Sequence, residues 1–194
     1  MKFIRIFSGE SYKGTKNYLH TQRKYEIVRT LLFFSISGAI FTMGLISTGT
    51  RLNLLTVVAV LGMLPASKSL VSVIMFSRYS SLSSDAADLI EKHSGSLTAL
   101  FDMVFTGDNG NFPVGHLTIK GNSVCGYSED PKFDEKKFYE HIDTFLKADS
   151  YKNVKVKIFT DLKKYVDRLD QMQELSCDGS NTEGIANTLK SVSL

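Results

Sequence analysis

Asp102, Asp108, Lys120 and Glu129 are the residues in the second half of the chain whose types could together do chemistry. Carboxylates are the hard oxygen donors that Mg²⁺ takes, and a bound Mg²⁺ can activate water or polarise a phosphoryl oxygen. On that reading the chain is a membrane-tethered, Mg²⁺-dependent hydrolase with an atypical site. The competing reading makes the acids solvated residues of turns and strand ends, and it is the one adopted, so no catalytic residue and no cofactor is assigned. Zinc is not expected: Cys125 and Cys177 stand far apart without a Cys-x-x-Cys, and His20, His93, His116 and His141 stand alone. Both cysteines should be free thiols in a cytoplasmic domain. Gly107-Asp108-Asn109-Gly110-Asn111 is a turn by composition; a phosphate loop would need a helix start and a lysine behind it. No serine nucleophile elbow is present.

The elements that must position these residues form an α/β (α+β) domain over 78–194. Ser84-Asp85-Ala86-Ala87-Asp88 predicts a helix with an N-cap and first-turn acids, running to about His93 and stopping at Gly95. Residues 97–106 are ambiguous: Leu97, Leu100, Phe101, Val104 and Phe105 fit a helix face, whereas their types and the turn behind them fit a strand, which is preferred. Residues 113–120 and 123–128 flank Lys120-Gly121-Asn122 as a hairpin. Phe138, Ile142, Phe145 and Leu146 mark an amphipathic helix over 134–148, whose wet face carries Asp134, Glu135, Glu140 and Asp143. Val154, Val156 and Ile158 alternate with Lys155 and Lys157 as a half-buried strand. Leu162, Tyr165, Val166, Leu169 and Met172 predict a helix over 161–175, and a short terminal helix is expected from Ile185 to about Val192.

This order of helix, three strands, helix and strand, over roughly residues 84–160, is similar to the core of the PD-(D/E)xK nuclease-like fold. The resemblance implies an Asp and a (D/E)-x-K triplet on adjacent strands, two carboxylates holding Mg²⁺ while the lysine assists the attacking water. The chain departs from it at the decisive place: two residues before Lys120 stands Thr118. Element order alone does not carry activity.

The first part of the chain is of another kind. Thr30–Ser47 and Leu52 to about Phe76 are apolar runs separated by Thr48-Gly49-Thr50-Arg51, each long enough to span a bilayer and expected to be helical there. They predict a transmembrane hairpin over 30–77, behind a basic segment 1–29. Residues 1–78 carry ten Lys/Arg and two acids, and residues 79–194 thirteen Lys/Arg and eighteen acids. Seven of the ten basic residues precede the first run and only Arg51 lies in the turn. The positive-inside bias then keeps the N-terminus in the cytoplasm, and two spans return the C-terminal domain to the same side, integral to the cell (inner) membrane. Arg29 and Lys68 lie about 27–30 Å of helix from the turn, which reads as paired membrane anchors with the lysine stem snorkelling. Ser35/Ala39, Gly38/Thr42 and Gly62/Ala66, each four apart, suit close packing within the hairpin. The tail over residues 1–24 should meet anionic lipid rather than nucleic acid, and Met1–Phe7 could dock as a strand on the sheet.

The sequence therefore predicts a small integral membrane protein whose cytoplasmic domain is a non-catalytic protein-interaction or assembly module. Its expected partners are the lipid bilayer and a protein, or a second copy of itself. The rivals are the hydrolase or nuclease-like enzyme above and an oligomeric pore or transport accessory lined by Lys68.

Overall fold

The computed structural model describes residues 12–107, 110–175 and 180–194. Asp108, Cys177 and the expected strand Met1–Phe7 lie outside them. The chain divides into two compact units, one dominated by residues 19–80 and one by residues 12–18 with 81–194.

The first unit is a pair of helices, α1 (Tyr18–Thr48) and α2 (Leu54–Ser77). Asn53 caps α2, its side chain accepting from the Thr56 amide, and α2 continues through Pro65. Helix α1 begins a dozen residues before the apolar run, because Tyr18–Arg29 holds no helix breaker. Both helices are long and apolar enough to cross a membrane. Their polarity is inverted relative to a helix of a water-soluble protein, which buries an apolar stripe. Buried on α1 are Tyr18, Leu19, Gln22, Glu26, Thr30 and Ser37, and on α2 Ala59, Ala66, Ser69 and Phe76, so that from Thr30 to Ser69 the buried side chains are small or carry a hydroxyl, whereas Leu31, Met43, Ile46, Leu54, Val60 and Leu64 are all more than 60% exposed. Thr30 and Ser69 share a hydrogen bond of 2.8 Å between their hydroxyls, Arg29 Nε donates to Ser69 Oγ at 3.2 Å, and the Arg29 guanidinium also pairs with Glu26. A Cβ at Gly62 would meet Ser37 Oγ at 2.6 Å, so glycine sets the closeness of the two helices there. Of the three small-residue pairs, only Gly62/Ala66 lies in this seam. Ser35, Ala39 and Thr42 are exposed, and a Cβ at Gly38 would meet open space.

The second unit is a four-stranded sheet between two helical layers. Its elements are α3 (Ser84–Ser94), β1 (Thr98–Gly107), β2 (Gly110–Lys120), β3 (Ser123–Tyr127), α4 (Glu135–Ala148), β4 (Lys155–Phe159), α5 (Leu162–Glu174) and α6 (Thr182–Val192). The strands lie in sequence order, β1–β2–β3 antiparallel and β4 parallel to β3. Gly121, with φ of 56°, opens the two-residue turn between β2 and β3, where glycine is needed. One sheet face packs Leu117, Ile119, Val124 and Ile158 against Phe138, Ile142 and Leu146 of α4 and Ile185 and Leu189 of α6. The other packs Cys125 and Tyr127 against Ala87 and Ile90 of α3 and Tyr165, Leu169 and Met172 of α5.

The strand reading of 97–106 holds, with one irregularity. Asp102 has φ of 53° inside β1, a left-handed conformation that aspartate tolerates better than most residues. Leu100 lies in the first core and Phe101 against the second, yet Met103 and Phe105 are back in the first. Opposite them, Phe112 and Val114 share that core with Leu117 and Ile119, so β2 shifts phase too, and the pairing skips Asp102 but keeps the same register on either side of it. The segment before α1 belongs to this unit: Phe101 N–H donates to Gly14 O at 2.9 Å, Lys13 donates to Ser193 O, and Lys16 pairs with Asp88 and Glu91 of α3. Two lysines of the basic segment thus hold the domain.

Candidate functional site

Asp108 lies outside the described residues, and the other three sequence-predicted site residues fall at two places. Asp102 is buried, and its Oδ1 accepts from Leu82 N–H at 2.9 Å. Glu129 accepts from the Ser83 hydroxyl at 2.5 Å. These two carboxylates therefore meet adjacent residues at the start of α3, where negative charge suits the helix N-terminus and Asp102 satisfies a backbone donor. Lys120 lies at the far end of β2, its Nζ donating to Gln173 O of α5 at 2.9 Å. Thr118, at the triplet position, is fully buried and bonds to the Tyr165 hydroxyl at 3.1 Å. Among the described residues no group of three His, Cys, Asp or Glu side chains is placed to hold a metal. Arg29 lies in the hairpin seam and Lys68 is exposed on its outside.

A buried polar network stands beside Thr118. His116 Nδ1 lies 2.6 Å from Tyr165 Oη. Desolvation pushes the His116 pKa down to about 3 and raises that of Tyr165. The pair is therefore a neutral imidazole hydrogen-bonded to a neutral phenol. Phe101 packs edge-on, 4.4 Å between ring centroids, and Tyr127 stacks on Tyr165. With both groups buried and locked in their neutral forms, the network fixes the packing of α5 on the sheet.

The concave site of the domain lies elsewhere. Residues on β3, β4 and α5 line a cavity of about 530 Å³: Ser123, Cys125, Lys155, Lys157, Phe159, Lys164, Asp167, Arg168 and Gln171. Parallel pairing sets Ser123 beside Lys155 and Cys125 beside Lys157, on the face turned to α5. Lys164, Asp167, Arg168 and Gln171 recur at three- and four-residue steps, a single stripe of the helix. Helix α5 seats its apolar stripe over the second core, and β4, the last strand of the sheet, extends beyond it. The wall holds four cations and one carboxylate. Arg168 Nη1 donates to Gln171 Oε1 at 3.0 Å, and Lys157 Nζ lies 5.0 Å from the Phe159 ring centroid. Burial raises the Cys125 thiol pKa, against the lowering influence of Arg168, so the cysteine sits at the floor as a thiol rather than a nucleophilic thiolate. The chemistry available here is anion binding. Sequence reasoning passed over the site because Lys155 and Lys157 read as the wet face of a strand. The usable signal was a second cationic pair, Lys164 and Arg168, on the next helix.

No family model, no curated protein and no solved structure matches the chain.

Proposed function

We propose that this chain is an integral membrane protein anchored by the α1–α2 hairpin, whose α/β domain lies in the cytoplasm and acts as a non-catalytic binding module. The observation that carries the reading is the inverted hairpin: small and polar side chains inside, leucine, isoleucine and valine outside. Water-soluble monomers rarely expose apolar patches on that scale, whereas in lipid small residues and hydroxyls suit a helix–helix seam. Lys68, exposed outside the seam, fits an interfacial anchor with Arg29 better than a pore lining. The cationic concavity supports binding. Sidedness is tested by protease treatment of intact cells: the domain should survive until the membrane is permeabilised, and C-terminal trimming in sealed cells would overturn the cytoplasmic placement. Activity is tested with Asp102→Asn and Glu129→Gln; loss of a Mg²⁺-dependent hydrolysis in either variant would restore the enzyme reading.

A further inference from the structure

The acids of residues 79–194 outnumber the Lys and Arg by eighteen to thirteen, yet the cavity between β3–β4 and α5 gathers four cations around the lone carboxylate of Asp167. Nearby acids are turned to other tasks. Asp161 caps α5 by accepting from the Lys163 and Lys164 amides and reaches the Lys164 ammonium at 3.8 Å with its other oxygen, and Asp170 holds His93 at 2.9 Å. Lys164 and Arg168 stand four apart on the helix, a spacing at which like charges repel, and Lys155 and Lys157 project from the same face of β4. Among the described residues no ion pair engages Lys155, Lys157 or Arg168. Such a cluster gains from an anion held between its members.

We propose that this cavity is a binding site for a phosphate-bearing ligand of small-molecule size, held by Lys155, Lys157, Lys164 and Arg168. With Asp167 and Asp161 set against the four cations, a formal excess of two positive charges remains, which suits the two or more negative charges of a phosphomonoester or diphosphate better than the single charge of a carboxylate. Arg168 offers a planar fork for two phosphate oxygens and the lysines supply point charges. Phe159 gives a flat apolar wall for the rest of the ligand. A volume of about 530 Å³ is that of a small-molecule pocket, larger than one phosphate fills. The proposal rests on the reading of the domain as a binding module, and it names what that module holds. The phosphate could belong to a soluble metabolite or to a lipid headgroup, since the tether keeps the domain near the bilayer.

The test uses the full chain in detergent micelles, titrated with inorganic pyrophosphate and followed by the amide resonances of residues 155–159 and 164–171. Saturable shifts confined to these residues are expected, with affinity reduced about tenfold or more in Arg168→Gln. The exposed Lys157→Gln, which leaves the core untouched, should also weaken binding, and Lys92→Gln with Lys136→Gln, on other elements, should not. A second arm places the chain in neutral phosphatidylcholine nanodiscs with or without a phosphatidylinositol phosphate. The same shifts with the charged lipid assign the site to a headgroup, and shifts with pyrophosphate alone assign it to a soluble ligand. Absence of shifts in both arms overturns the proposal, as does equal weakening by the control pair. Aggregation of Lys157→Gln with undiminished binding also overturns it, leaving the lysines as guards of the β4 edge. The underlying reading fails separately: release of orthophosphate from pyrophosphate would end the non-catalytic claim while leaving the site in place.

Discussion

Replacing His116 with glutamine should change how the stability of the α/β domain depends on pH. In the native state the imidazole is buried against Tyr165, Thr118 and Phe101, and desolvation pushes its pKa down to about 3 from an ordinary 6.5. The unfolded chain therefore binds a proton below about pH 6.5 that the folded domain refuses until about pH 3. The histidine's contribution is neutral above pH 6.5 and is progressively unfavourable to folding as pH falls below it. At about 1.4 kcal/mol per pH unit, the penalty is about 2 kcal/mol at pH 5. Glutamine cannot titrate and still offers Tyr165 an acceptor. The variant should lose about 1–2 kcal/mol at pH 7 from imperfect packing but escape the acid penalty, so the two stabilities converge near pH 5. Amide exchange at Leu117, Thr118, Ile119 and Val124 in the full chain in micelles, corrected for intrinsic rates, reads this opening free energy. Parallel pH dependences for wild type and variant between pH 7 and 5 would refute the burial of a neutral imidazole.

Three further perturbations test other joints. Asp102→Ala removes the acceptor of Leu82 N–H and places alanine at a left-handed backbone position, and should cost about 2–4 kcal/mol; Asp102→Asn keeps both features and should cost under about 1 kcal/mol, by the same exchange measurement. At Gly126 a Cβ would stand 2.6 Å from both Ile158 Cδ1 and Leu117 Cδ2, so Gly126→Ala should destabilise the sheet by about 1–3 kcal/mol, read as faster exchange in β3. In the hairpin, Arg29→Leu leaves the buried Glu26 carboxylate with the Gln22 amide but without its charge partner and should lower helix-pair stability in detergent by about 3–5 kcal/mol; adding Glu26→Gln should recover most of that loss, as followed by steric-trap or thermal unfolding.

The membrane-length helices were legible because a run of apolar residues needs no tertiary context to be recognised. Their seam was not: Ser35/Ala39 and Gly38/Thr42 have the same spacing as Gly62/Ala66, and only the rotation of each helix decides which pair faces inward. The strand order of the domain was readable from alternation and turn chemistry, with the ambiguity falling on residues 97–106. The structure explains that ambiguity. The left-handed Asp102 shifts the phase of β1, so Leu100, Met103 and Phe105 share a core and the period of two is broken within a strand. Of the three acids and one lysine chosen from types alone, Asp102 and Glu129 meet the start of α3 and Lys120 lies at the far end of β2. The cationic cavity joins β3, β4 and α5 across nearly fifty residues, so no local pattern announces it. Lys155 and Lys157 were visible only as the polar half of an alternation.

The α1–α2 hairpin should reside in a lipid bilayer. Cells expressing the full chain can be broken without detergent, and their membranes washed with alkaline carbonate before high-speed sedimentation. The polypeptide should stay with the sedimented membranes and be released only when detergent is added. Recovery of the folded protein in the wash would mean that the exposed apolar faces of α1 and α2 are covered by something other than lipid.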